Sequence, residues 1–198
     1  MIKRTIRRGF RVSRYVVYKE TLVNAKEHFW SFLGSFIGLA IIGFIQSSSF
    51  SSTDTVFIIG SFGASCVLIY GAIQSPLSQP RNFIGGHLIS AIIGVSIYKY
   101  LPHIIWLNAP LAVASSIVLM QITKTLHPPG GATALIAIIG SEKVRSLGYL
   151  YVLTPVLSGV IILLLVALVF NNVTPHRHYP NYSQRLQKLF VRKKGEDV

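Results

Sequence analysis

"KTLHPPGGATALIAIIGSE", residues 124–142, places a lysine, a histidine, two adjacent prolines and two adjacent glycines directly ahead of an apolar run too short to cross a membrane. Each proline disfavours helical geometry at the residue before it. Residues 127–131 are therefore expected to be extended or turned, with regular helix over 132–140. Five extended residues cover about 16 Å at roughly 3.3 Å each, and nine helical ones add about 13 Å at about 1.5 Å each. The sum approaches the roughly 30 Å hydrocarbon core of a bilayer. A lipid-exposed backbone cannot leave its polar groups unpaired, so such a stretch has to be buried in protein or line a wet cavity.

The remaining sequence fits a membrane setting. Hydrophobic residues make up 51% of the 198 and charged residues 13%, a balance wrong for a soluble domain. Segments 29–45, 83–101, 104–122 and 150–171 are long and apolar enough to span a bilayer. Segment 54–73 is also long enough, but Gly60, Ser61, Gly63, Ala64 and Ser65 interrupt its middle. The expected fold is an all-α polytopic membrane protein with four full transmembrane helices plus two interrupted crossing or re-entrant segments. The similarity of "GASCVLIYGA" at 63–72 to "GATALIAIIG" at 131–140 adds a candidate 3+3 inverted repeat with halves 29–101 and 104–171. Gly86, Ser90 and Gly94 lie along one helix face and read as a site of close helix packing.

The formal charge of +13 gathers at the ends: eight of the 19 Lys and Arg lie in residues 1–28 and six follow Asn171. Basic ends around an apolar middle match the positive-inside bias and anionic lipid headgroups. No aromatic-basic module supports a nucleic-acid partner. Residues 1–28 read as a basic cytoplasmic or interfacial segment, with Ile2, Ile6 and Phe10 on one helix face, and 172–198 as a basic cytoplasmic tail. Two cytoplasmic ends require an even number of crossings. The short basic start favours a bacterial inner membrane, although an Arg-rich, acid-poor start is also a transit-peptide property. Small-residue faces allow a homo-oligomer.

Chemistry concentrates on few residues. A helix N-terminus placed near mid-membrane offers unsatisfied N–H groups and partial positive charge, suited to an anion. Gly130 and Gly131 permit backbone approach and Thr133 offers a hydroxyl; Gly63, Ala64 and Ser65 are expected to supply the corresponding end from the other half. Lys124, His127 and His87 are the cationic or polar groups nearest these stretches. Each also has a plainer role: snorkelling for Lys124, bracing of the loop for His127, an interhelical hydrogen bond for His87. Arg81 serves to set topology or to draw anions to a cytoplasmic mouth, and Asn82 is a candidate helix cap. Neither a catalytic set nor a metal-ligand cluster is expected: Cys66 is the lone cysteine, the central motifs hold no acid, and "HRH" at 176–178 reads as a solvated pair of histidines in a polar tail. No cofactor is implied.

"HPPGGATAL" at 127–135, with "FGAS" at 62–65 and "SPLSQPRNFIGGH" at 75–87, resembles the HPP family of integral membrane proteins over about residues 29–171. The family's His-Pro-Pro element is here His127, Pro128 and Pro129. The resemblance implies four transmembrane segments and, from photosynthetic members associated with nitrite movement into plastids, transport of nitrite. The expected function is a transporter or channel for a small inorganic anion, nitrite foremost. A membrane module recruiting partners through its basic termini, or a carrier of another small solute, is the alternative.

Overall fold

A computed structural model of the chain describes residues 25–49 and 55–181; the expected interfacial helix over residues 1–28 and most of the basic tail lie outside the described residues. Helices Ala25–Ser49 (α1), Thr55–Cys66 (α2), Pro80–Tyr100 (α3), Ile105–Ile122 (α4), Pro129–Ile139 (α5) and Ser158–Phe170 (α6) form the bundle. Four helical stretches, Ala25–Ile45, Pro80–Tyr100, Ile105–Ile122 and Val152–Phe170, are long and apolar enough to cross a membrane. The stretches Gly60–Gly71 and Pro129–Ile139 are apolar but shorter.

Pairings between helices fix the direction of each pass. On α3, Gly86 packs against His127 and Gly94 against Ala134 and Ala137, so α3 and α5 run in parallel. On α6, Gly159 meets Phe62 of α2, and Asn171, just past its end, reaches the carbonyl of Ile69, so α2 and α6 also run in parallel. The first residues of α1 meet the segment after α6, where Thr174 and Arg177 bond to Glu27. The six helices therefore alternate in direction, and residues 25 and 181 share one face, here termed the terminal face. Both interrupted segments run through the bundle beside full-length helices.

The interruptions differ from the sequence expectation in three places. First, α5 starts at Pro129 rather than at residue 132, with Pro128 already in helical geometry (φ −51°, ψ −40°). Pro129 lacks an N–H and loses nothing at a first-turn position, while the Gly130 and Gly131 amides donate to the carbonyls of His127 (2.9 Å) and Pro128 (3.0 Å). The non-helical leg is thus 123–128, entered through Lys124 at φ 56°. Second, the small residues 60–65 lie within continuous α2, and the irregular turn comes later, as a π-helical stretch at Val67–Gly71. Ser65 stays helical with its hydroxyl 3.1 Å from the carbonyl of Ser61, one turn back. Third, the last span breaks at Thr154, held extended (φ −135°, ψ 119°) ahead of Pro155.

Close approach of α3 and α5 rests on absent side chains. A Cβ on Gly94 would sit 2.6 Å from the Ala134 carbonyl oxygen and 2.8 Å from the Ala137 Cβ, and one on Gly130 would sit 2.8 Å from both the Gly86 carbonyl and Ser90 Oγ. The small face expected on α3 is therefore its seam with α5. Around it, Phe62, Ile69, Tyr70, Phe83, Tyr151, Val160 and Leu163 build the buried core between α2, α3 and α6.

Candidate functional site

Within the leg 123–128 the carbonyls of Thr123 and Leu126 take their donors from side chains of α3. From the first turn of α3, Arg81 Nη2 donates to the Thr123 carbonyl at 2.8 Å and Asn82 Nδ2 to the Leu126 carbonyl at 2.9 Å. Asn82 therefore braces the leg instead of capping α3, whose flanking Gln79 makes no side-chain cap. Gly85 and Gly86 admit the leg: a Cβ on Gly85 would meet Thr125 Cγ2 at 2.5 Å, and one on Gly86 would meet His127 Cβ at 2.5 Å. This packing drives His127 into the centre of the bundle, where it is fully buried.

Four of the residues singled out in the sequence converge there. Ser65 Oγ lies 2.8 Å from His87 Nε2 and 3.0 Å from His127 Nε2. His87 Nδ1 lies 2.7 Å from Thr133 Oγ1, and His127 Nδ1 lies 2.8 Å from the Leu77 carbonyl. All four side chains are 0% exposed. The ring centroids of the two imidazoles are 5.1 Å apart, with Phe83 edge-on to both and Phe62 beside His87. Tyr151 holds α5 from behind, its hydroxyl donating to the Thr133 carbonyl at 3.0 Å.

Partner chemistry dictates where the protons sit. A carbonyl only accepts, so His127 carries its proton on Nδ1 toward Leu77. In the neutral ring Nε2 is then an acceptor, and the Ser65 hydroxyl donates to it. Ser65 Oγ consequently accepts from Nε2–H of His87, whose Nδ1 accepts from the Thr133 hydroxyl. A single unbroken chain of donors runs from Thr133 through His87, Ser65 and His127 to Leu77, with every buried imidazole nitrogen paired.

The other expected residues sit apart from this cluster. Lys124 is exposed at the terminal-face turn, clear of the histidines. Pro128 is exposed, while Pro129, Gly130 and Gly131 are buried in the first turn of α5. The amides of Gly130 and Gly131 are already bonded within that turn, so they do not form an open cradle. Gly63 faces a cavity of about 330 Å³ between α1 and α2, lined also by Ser31, Ser35, Leu39 and Cys66. The pairing of two opposed helix N-termini expected from 63–65 and 130–133 is replaced by side-chain contact: Ser65 comes from the last turn of α2, where the chain runs on into the π-helical stretch, and Thr133 from the second turn of α5. Among the described residues no three of His, Cys, Asp or Glu gather as a metal site would require.

A second polar knot had no sequence signal. His176 and His178 are exposed, but Arg177 between them is 4% exposed. Its guanidinium donates to Glu27 Oε2 (3.2 Å), the Tyr70 carbonyl (2.9 Å), Asn171 Oδ1 (2.7 Å) and Ser31 Oγ (3.0 Å). Nearby, Tyr179 donates to the Ser78 carbonyl at 2.7 Å. Residues 172–181 are thus docked on the terminal face. A lone arginine in a basic tail carries no periodicity to distinguish it from its solvated neighbours.

The helices that build the site lie within the stretch over which the chain resembles known proteins. The chain matches the transmembrane region of the HPP family over residues 20–180. It is 45% identical to two transmembrane proteins of Dictyostelium discoideum, over 159 residues (77% of this chain and 54% of the relative) and 157 residues (76% and 49%). The chain spans about half the length of these curated relatives. No solved structure matches it. With the His-Pro-Pro element at the bend that seats His127 and the match covering every described helix, the chain belongs to the HPP family of transmembrane proteins.

Proposed function

We propose that the chain is a transporter or channel for a small inorganic anion, with nitrite the foremost candidate and the imidazole–hydroxyl cluster on its pathway. The observation that carries this reading is the cluster itself: two histidines, a serine and a threonine, fully buried where α2, α3 and α5 meet. Polar ionisable groups inside a membrane bundle are costly and mark ion and substrate pathways. Imidazole N–H and hydroxyl groups are the donors a small oxyanion needs once desolvated. Transport through this site requires displacement of the leg 123–128, which seals it from the terminal face.

The inverted-repeat part of the reading is supported by one contact pattern. The matched triplets Gly63-Ala64-Ser65 and Gly131-Ala132-Thr133 place Ser65 and Thr133 on opposite nitrogens of the same His87 ring. Equivalent helices of two halves thereby meet at one central residue, as midplane sites in repeat-built transporters do. Cytoplasmic placement of the terminal face follows from the basic ends. Placement in a bacterial plasma membrane rests on the sequence alone, and the Dictyostelium relatives favour a eukaryotic membrane equally; fractionation of the source cell decides.

The test is nitrite uptake by proteoliposomes, measured above empty vesicles, with nitrate and formate as competitors. Wild-type protein should take up nitrite, and Ser65→Ala and His87→Gln variants of unchanged elution profile should lose most of it. Folded wild-type protein with no uptake above background removes the anion reading and promotes another solute or partner recruitment.

A further inference from the structure

We propose, resting on the anion-transport reading, that His127 and Ser65 form a proton site that loads one proton with each anion carried, making the chain a proton–anion symporter. The argument starts from the asymmetry of the two His127 nitrogens. Nδ1 faces the Leu77 carbonyl, which can only accept, so it remains protonated in every state of the closed bundle. Nε2 faces the Ser65 hydroxyl, which can donate or accept. Only Nε2 is therefore open to gain and lose a proton.

The switch needs no movement of heavy atoms. In the neutral state Ser65 O–H points at His127 Nε2. When a proton arrives on Nε2, the hydroxyl turns to the Ser61 carbonyl, already 3.1 Å away. Ser65 Oγ then accepts two N–H groups, from His127 Nε2 and His87 Nε2, and donates one bond. Neither state leaves a buried donor or acceptor of the cluster unpaired. Unloading reverses the step: the proton leaves Nε2 for an oxygen of the anion or for water, and Ser65 turns back. Protons balance, and no covalent bond between heavy atoms forms or breaks.

Charge explains the coupling to an anion. The titratable groups facing His127 are His87 and, behind Thr133, the Tyr151 hydroxyl; Cys66 lines the cavity toward α1, and Arg81 is engaged by the Thr123 carbonyl nearer the terminal face. The described carboxylates are remote: Glu27 pairs with Arg177 at the terminal face, and Glu142 starts the short helix Glu142–Ser146 after α5. An imidazolium buried without a counter-charge bears a large desolvation cost. A small anion arriving beside it supplies the missing charge, so proton and anion load together and cross as a neutral pair.

The experiment follows nitrite and internal pH together in proteoliposomes, with rates taken above empty vesicles because nitrous acid crosses unaided. Wild-type protein should move one proton per nitrite, ignore membrane voltage, and shift nitrite distribution about tenfold per unit of pH gradient. The uptake that folded Ser65→Ala and His127→Asn retain should no longer depend on the pH gradient. Nitrite uptake that carries net charge and ignores the pH gradient overturns the proton site while leaving transport intact; no wild-type uptake overturns the transport reading itself. Nitrogen-15 NMR of the histidines gives a readout independent of the variants. Without nitrite, His127 should be the Nδ1–H tautomer and His87 the Nε2–H tautomer, and with nitrite His127 should become doubly protonated. Equal tautomers, or a His127 that stays neutral with nitrite bound, refute the proposal.

Discussion

Replacing Gly94 by alanine tests whether the seam between α3 and α5 sets the architecture. In a helix with free space around it the change is favourable by up to about 1 kcal/mol, since alanine surrenders less backbone entropy than glycine. At Gly94 the added Cβ would lie 2.6 Å from the Ala134 carbonyl oxygen, 2.8 Å from the Ala137 Cβ and 3.0 Å from the Ala134 Cα. Two of these three atoms are backbone, so no side-chain rotation relieves the clash, and the helices must separate by several tenths of an ångström. Overpacking of this kind costs about 1–3 kcal/mol, which outweighs the propensity gain. Gly60→Ala in α2 is the matched control, because nothing lies within 4 Å of its Cβ position. Thermal unfolding in detergent, followed by size-exclusion of the remaining dispersed protein, should show Gly94→Ala markedly less stable and Gly60→Ala equal to or above wild type. A Gly94→Ala protein as stable as wild type, or an equal loss in both variants, would refute the assigned seam.

Arg177→Ala should destabilise the bundle by about 3 kcal/mol, because it removes the cation paired with a largely buried Glu27 and the donor to Asn171 Oδ1; chemical denaturation in mixed micelles measures it, and Arg177→Lys should recover only part. Burial pushes the Tyr179 phenol up from its ordinary value. The folded form thus holds its proton more tightly than the unfolded, so docking of residues 172–181 should be constant through neutral pH and weaken only above about pH 10, where the unfolded phenol ionises. Limited proteolysis of that segment against pH reads this, and Tyr179→Phe should flatten the alkaline increase. Tyr70→Phe removes a 3.0 Å bond to the Leu163 carbonyl and should cost about 1 kcal/mol in the same unfolding assay.

The long passes were legible because twenty-odd apolar residues have few alternatives to a spanning helix. Residues 127–131 also announced an interruption, but not its register. The extended geometry expected at Pro128 yielded to helix because Pro129 needs no amide partner and Gly130 can press against the Gly86 backbone. That contact is tertiary, and no local rule contains it. The same holds at residues 60–65, where glycine and serine look like breakers yet sit inside α2. Of the site, Ser65, His87, His127 and Thr133 were named from the sequence; their direct contact was not, since it joins residues 22 to 62 positions apart. Arg177 stayed hidden because, apart from nearby Asn171, its partners lie more than 100 residues away, on α1 and at the Tyr70 carbonyl.

The clamp between Arg177 and Glu27 also bears on how the protein is made. Among the described helices, α1 packs chiefly on α6, with α2 as its other main neighbour. Its terminal-face anchor is translated 150 residues later. During synthesis α1 therefore sits in the bilayer with one side facing lipid, and the intervening helices must insert and assemble before that side is covered. Completion of the bundle is a late, post-insertion event, closed when the segment after α6 folds back across the start of α1.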